Sequence, residues 1–177
     1  MINQGFDPFR DRLSRDIRND LSESLLTCLR QQRLTAAQAV AERYLAGNPA
    51  PCYLDYITNR LDRYARFLAA VAEGPTDVIW QSFVLWDLGL FFEVHEILEQ
   101  AWMHACGTEK TVLQALIRAA GVYIKRECGF FEAAEKMAAK ALPVLEANRQ
   151  RLAVHTDPQR LLAALHSAAG DPPLLLS

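Results

Sequence analysis

Residues 8–32 read PFRDRLSRDIRNDLSESLLTCLRQQ, and within them Phe9, Leu13, Ile17, Leu21, Leu25 and Leu29 recur every fourth position. An α-helix turns once in 3.6 residues, so this series forms one apolar face with charged and polar residues opposite it, the pattern of an amphipathic helix. Outward from this stretch the same signals continue. Alanine, leucine, glutamate, glutamine and arginine fill the segments while glycine and proline cluster between them, and no alternating apolar-polar pattern lasts long enough to specify a strand. Thr35 and Gln38 have the spacing of a capping box, which opens a second helix at Thr35 that ends at Gly47. Further helices are expected over residues 52–71, 77–88, 92–104, 109–127, 130–148 and 158–168, the last capped by Asp157 with Pro158 in its first turn. Short loops make successive helices antiparallel neighbours, so the expected fold is all-α, an up-and-down bundle of about 7 or 8 helices built from stacked hairpins.

The length of 177 residues with 51% hydrophobic content suffices for one core, so a single domain over residues 1–170 is expected. Within it, residues 1–86 supply N-terminal helices, 87–149 a three-helix core and 150–170 a C-terminal helix. The tail over 171–177 has no helical pattern, and its leucines leave open whether it packs or frays. A formal charge of -2, with both signs dispersed, gives no basic footprint for nucleic acid. The opening MINQGFDPFRDRLSRD is polar where a secretory signal would be apolar, and no run approaches a membrane span, so a soluble cytoplasmic protein is expected. Cys28, Cys52, Cys106 and Cys128 stand too far apart for a CxxC unit and are read as core or boundary residues.

The densest chemistry lies in WDLGLFFEVHEILEQAW, residues 86–102. Helical spacing makes His95 and Glu99 neighbours, with Phe91, Val94, Leu98 and Trp102 as the apolar stripe, His95 just inside its edge and Glu96 farther out. A carboxylate beside a half-buried imidazole orients the ring and raises its basicity. Such a pair serves as a structural contact, as a ligand-binding or catalytic group, or as part of a metal site. His-Glu-x-x-Glu lacks the second histidine of the zincin motif, so no metal or other cofactor is expected; His95 and Glu99 are the candidates if one binds. His104, His155 and His166 are read as boundary or surface residues.

The next helix is apolar over more than half its circumference, and its polar stripe carries Gln114, Arg118 and Lys125 beside Gly121. Gln114 or Arg118 is placed to face His95 and Glu99, and a cationic Arg118 there would neutralise the carboxylates and favour a small anionic ligand over a divalent metal; alternatively Arg118 pairs with Glu99 or Asp87. No nucleophile elbow and no phosphate-binding glycine loop occurs. The Phe-Phe-Glu at Phe91 returns at Phe130, 39 residues on, as in helical-hairpin repeats.

Two elements, Phe91-Phe92-Glu93-Val94-His95-Glu96-Ile97-Leu98-Glu99-Gln100-Ala101-Trp102 and Leu113-Gln114-Ala115-Leu116-Ile117, give residues 87–145 a resemblance to DUF309, a small all-helical family of unknown function. The turn at Gly129 before Phe130 also resembles the family's entry into its third helix. By that resemblance an uncharged residue is expected where Arg118 stands. The resemblance implies the fold and a focus on His95, Glu96, Glu99 and Trp102; it implies no reaction.

The leading functional expectation is a module that binds a protein partner or a small, anionic ligand, with Trp102, Gln114 and Arg118 as binding candidates. The alternative is a hydrolytic enzyme, metal-dependent or not, using His95, Glu96 and Glu99 as catalytic candidates. Neither a nucleic acid nor a membrane partner is expected. So apolar a set of helices is compatible with a homodimer.

Overall fold

The computed structural model describes residues 5–167 and 170–176, and among them every regular element is an α-helix. The chain divides into two compact units, Met1–Gly74 and Pro75–Ser177. None of the described helices is long and apolar enough to cross a membrane.

The first unit comprises α1 (Arg12–Gln31), α2 (Thr35–Leu45) and α3 (Pro51–Ala72), all three in mutual contact. Of the periodic series Ile17, Leu21 and Leu25 are buried, with Cys28 beside them, while Leu13 is exposed and Leu29 half-buried. The helix starts later than residue 8 because two aspartates partition the entry. Asp7 accepts the N–H groups of Phe9 and Arg10 in a separate turn, and Asp11 caps α1 by accepting from Leu13 and Ser14. Phe9 therefore precedes the helix and is exposed. The capping box at Thr35 does not form. Leu34 occupies the N-cap position in a helical conformation with no side-chain cap, so Thr35 is already inside α2. Tyr44 donates to Asp20 at 2.7 Å, and burial together with that carboxylate pushes the phenol up to about 12.

The second unit holds α4 (Val78–Asp87), α5 (Phe91–His104), α6 (Gly107–Glu127), α7 (Phe131–Ala147), α8 (Arg149–Ala153) and α9 (Pro158–Ser167). Ala168, the expected end of the last helix, lies outside the described residues. α6 packs against both α5 and α7, α4 packs on α5, and α9 packs on α7. Its near-continuous apolar surface is accounted for by that central place. Gly121 is where α7 comes close: a Cβ there would stand 2.2 Å from Met137 Cε. The short α8 was not legible, since five residues are too few to show a period.

Two turns in this unit share one geometry. Gly89 and Gly129 both take left-handed backbone, with φ of 67° and 77°. Leu90 N–H reaches back to Leu85 C=O and Phe130 N–H to Lys125 C=O, which closes a Schellman motif at the end of α4 and of α6. The following residues, Leu90 and Phe130, are the N-caps of α5 and α7. Superposing the two turns pairs Phe91 with Phe131, one residue out of step with the Phe-Phe-Glu similarity. Phe91 is 4% exposed and Phe131 60%. The repeated feature is the glycine turn; the helices after it bury different faces.

α4 is gripped at both ends. At its start Asp77 accepts from Ile79 N–H at 2.8 Å and Trp80 N–H at 3.2 Å, and its other oxygen binds the Arg151 guanidinium at 2.8 Å. Arg151 also reaches Glu109 on α6 at 3.3 Å. His155 lies 3.2 Å from Asp77 with its side chain 10% exposed, a boundary residue as expected. At its end, Trp86 and Asp87 hold the tail. Trp86 Nε1 donates to Pro173 C=O, Asp87 accepts the N–H groups of Leu175 and Leu176, and Leu175 is buried. The tail packs.

Burial alone would raise the Asp77 carboxyl, but the Arg151 hydrogen bond, the capped N–H groups and the Arg151 charge outweigh it and hold the group below its ordinary value. A carboxyl lowered on folding contributes stability above its unfolded pKa, and this is lost as pH falls through the folded one. All three tryptophans lie in the second unit, so their fluorescence follows its unfolding. Asp77→Asn, which keeps a capping oxygen and removes the charge, is expected to cost about 1 kcal/mol near pH 7. The gap from the parent chain should narrow as pH falls through and below the ordinary carboxylate range; a gap independent of pH would contradict the assignment.

Candidate functional site

α5 leaves the Gly89 turn with Phe91 wedged into an aromatic corner. Trp86 meets Phe91 edge-on at 5.2 Å and Tyr123 of α6 edge-on at 5.1 Å, and Phe91 stacks on Tyr123 at 5.1 Å. With Val94, Ile97 and Leu98 also buried, one arc of α5 is fixed in the core. Glu93 shares this arc and is 1% exposed, a buried carboxylate that the sequence reading passed over. Its position in the first turn suits a negative charge, because the free N–H groups of a helix start carry a partial positive charge. The signal was present: Glu93 precedes Ile97 by four, on the same face.

The fixed arc leaves His95, Glu96 and Glu99 along the opposite edge, with side chains 31%, 28% and 47% exposed. His95 Nδ1 lies 3.4 Å from Glu96 Oε1 and 4.0 Å from Glu99 Oε2. One ligand-type atom from each of the three falls within 4.8 Å of the others. His95 Nδ1 is itself inaccessible and has no hydrogen-bond partner among the described residues. The His95 ring lies nearly parallel to Phe92, centroids 6.3 Å apart. Two expectations are corrected. Glu96 is closer to His95 than Glu99 is and is the less exposed of the two carboxylates, because a glutamate's flexible stem spans the angle between adjacent helical positions. Nor does Glu99 satisfy the histidine by a hydrogen bond.

No hydrogen bond or ion pair among the described residues joins the remaining candidates to this cluster. Trp102 is half-buried under Lys110, whose Nζ stands 4.4 Å from the ring centroid. Gln114 and Arg118 are half-buried on α6. Arg118 forms no ion pair or hydrogen bond among the described residues, so it neutralises neither Glu96 nor Glu99. Asp87, its other expected partner, directs both carboxylate oxygens to the tail. Of the other histidines, His104 ends α5 exposed and His166 pairs on the surface with Glu146 at 2.9 Å. The four cysteines are free: Cys28 is buried and Cys52 and Cys128 are intermediate, as expected of core and boundary residues, whereas Cys106 is exposed. An open hollow lined by residues 146–151 includes none of the α5 cluster.

Comparison with curated proteins and with solved structures gives no match. Residues 79–137, from the first turn of α4 into α7, match the family model described as Domain of unknown function (DUF309), a segment that begins and ends earlier than residues 87–145 and contains His95, Glu96, Glu99, Trp102, Gln114 and Arg118.

Proposed function

We propose that this chain is a helical metal-binding module whose small ligand is a divalent cation held by His95, Glu96 and Glu99. The observation that carries this reading is the close approach of the three ligand-type atoms, with His95 Nδ1 free of any hydrogen bond. Two donors bound at about 2.1 Å to a tetrahedral zinc-like ion stand about 3.4 Å apart. The His95–Glu96 separation already has that value, and Glu99 needs only a small torsional adjustment. One imidazole and two carboxylates suit a first-row cation such as Zn²⁺ or Mn²⁺ better than Ca²⁺, which takes oxygen donors. Arg118 forms no ion pair with either carboxylate, so its guanidinium does not compete with a cation for them. This reverses the expectation of an anion in preference to a metal.

A second reading, hydrolysis, draws on the exposure of the cluster. Three donors from one side of a helix leave the outer positions of an ion open, as catalytic sites do and closed structural sites do not. A cation there would supply a Lewis acid; the chain's own part is to hold it on a helix whose opposite face is locked in the core. Metal-dependent cleavage of chromogenic esters by the parent chain, abolished in Glu99→Gln, would support this reading over simple binding.

Calorimetric titration of the full chain with Zn²⁺ or Mn²⁺ is expected to show one site. Glu96→Gln and Glu99→Gln should each weaken it more than about tenfold; unaltered affinity in both variants would contradict the reading. His95→Ala should abolish binding while changing stability by less than about 1 kcal/mol, because the ring has no hydrogen-bond partner to orphan and alanine is the better helix former. A loss of about 3 kcal/mol in thermal unfolding would instead make His95 a structural residue.

A further inference from the structure

The tail is bound in the manner of a ligand. Residues 170–176 form no helix or strand, and the main chain of residues 173–176 is read by side chains from three separate places. From α4, Trp86 Nε1 donates to Pro173 C=O at 2.9 Å, and the two oxygens of Asp87 accept from Leu175 N–H at 2.6 Å and Leu176 N–H at 2.9 Å. From the loop before α9, the Thr156 hydroxyl donates to Leu175 C=O. From α9, Arg160 donates to Leu174 C=O at 3.2 Å. One side chain, Leu175, is buried, while Leu174 beside it is 54% exposed. A single apolar anchor with main-chain hydrogen bonds on both sides is how grooves recognise extended peptides. Trp86 and Asp87 lie inside the matched segment, whereas Thr156 and Arg160, which bind the tail from the other side, lie outside it.

We propose that this groove is a peptide-binding site and that, besides the chain's own tail, it takes the Pro-Pro-Leu-Leu-Leu segment of a second copy by reciprocal exchange. The argument for that occupant is complementarity: the bound tail is itself the demonstration that this sequence fits, and every copy carries it. Exchange between two copies preserves all five hydrogen bonds and the burial of Leu175, and it closes with two-fold symmetry. Within one chain the tail competes at high effective concentration, so the exchanged form of the unaltered chain is favoured only when the protein is concentrated. The inference is independent of the cation site.

Two full-length variants separate the halves of the site. Leu175→Asp spoils the anchor and leaves the groove intact; Asp87→Ala removes the carboxylate that grips Leu175 and Leu176 and leaves the tail intact. Sedimentation of an equimolar mixture is expected to show a heterodimer at least tenfold tighter than the self-association of either variant. Absence of that species, with both variants retaining the parent helical circular dichroism, would overturn the proposal. Should either variant lose its helicity, native-state hydrogen exchange of the unaltered chain decides. Leu175 and Leu176 amides exchanging well before those of α4 support a releasable ligand; exchange only together with α4 makes the tail a fixed part of the fold and overturns exchange.

Discussion

The left-handed turn at Gly89 fixes the direction in which α5 departs from α4, and the candidate site depends on it. A residue with a Cβ pays for positive φ through a clash with its carbonyl, so glycine permits a reversal here that closes two hydrogen bonds at the end of α4. Leu90 and Phe91 then enter the core immediately, and Phe91 is locked between Trp86 and Tyr123. Once that arc of α5 is committed, helical geometry alone carries His95, Glu96 and Glu99 to the outer edge. The donors are therefore presented by a rigid element, which lowers the ordering cost of holding an ion.

The C-terminal part of the chain serves this arrangement from outside the matched segment. Arg151 ties the α4 cap at Asp77 to Glu109 in the first turn of α6, and His155 fills the space against the same aspartate. Thr156, the next residue, holds the tail that Trp86 and Asp87 bind at the other end of α4. Trp86 thus has two duties: its ring supports Phe91 and its nitrogen anchors the tail. The helix before the site is held by charge at one end and by main-chain recognition at the other.

Much of the helical fold was legible because its signals are local. Four-residue spacing marked α1, Asp157 stood at a cap, and glycines marked the ends of α4 and α6; Asp77, read as the first residue of its helix, is instead the cap. What failed depended on competition between neighbours. Asp7 and Asp11 both can cap, so the start of α1 was misplaced; Leu34 continued the helical path, so the Thr35 box had no role. The Phe-Phe-Glu echo misled because the Schellman turn, and not the aromatic pair, sets the register. In the site, the helical wheel located His95 and Glu99 correctly but assigned Glu96 to the outside, since a wheel fixes Cβ directions and not where a flexible carboxylate ends. The partners of Asp77 and Asp87 come from 74 to 89 positions away, a distance over which no local pattern carries information.

The central claim is that α5 presents a particular nitrogen, His95 Nδ1, to a cation shared with Glu96 and Glu99. Nitrogen-15 spectra of the histidine side chains, recorded as ¹¹³Cd²⁺ is added, report which ring atom binds. The account predicts direct cadmium coupling to Nδ1 of His95, with His104, His155 and His166 unchanged. Coupling to Nε2, or saturation with no change at His95, would contradict it.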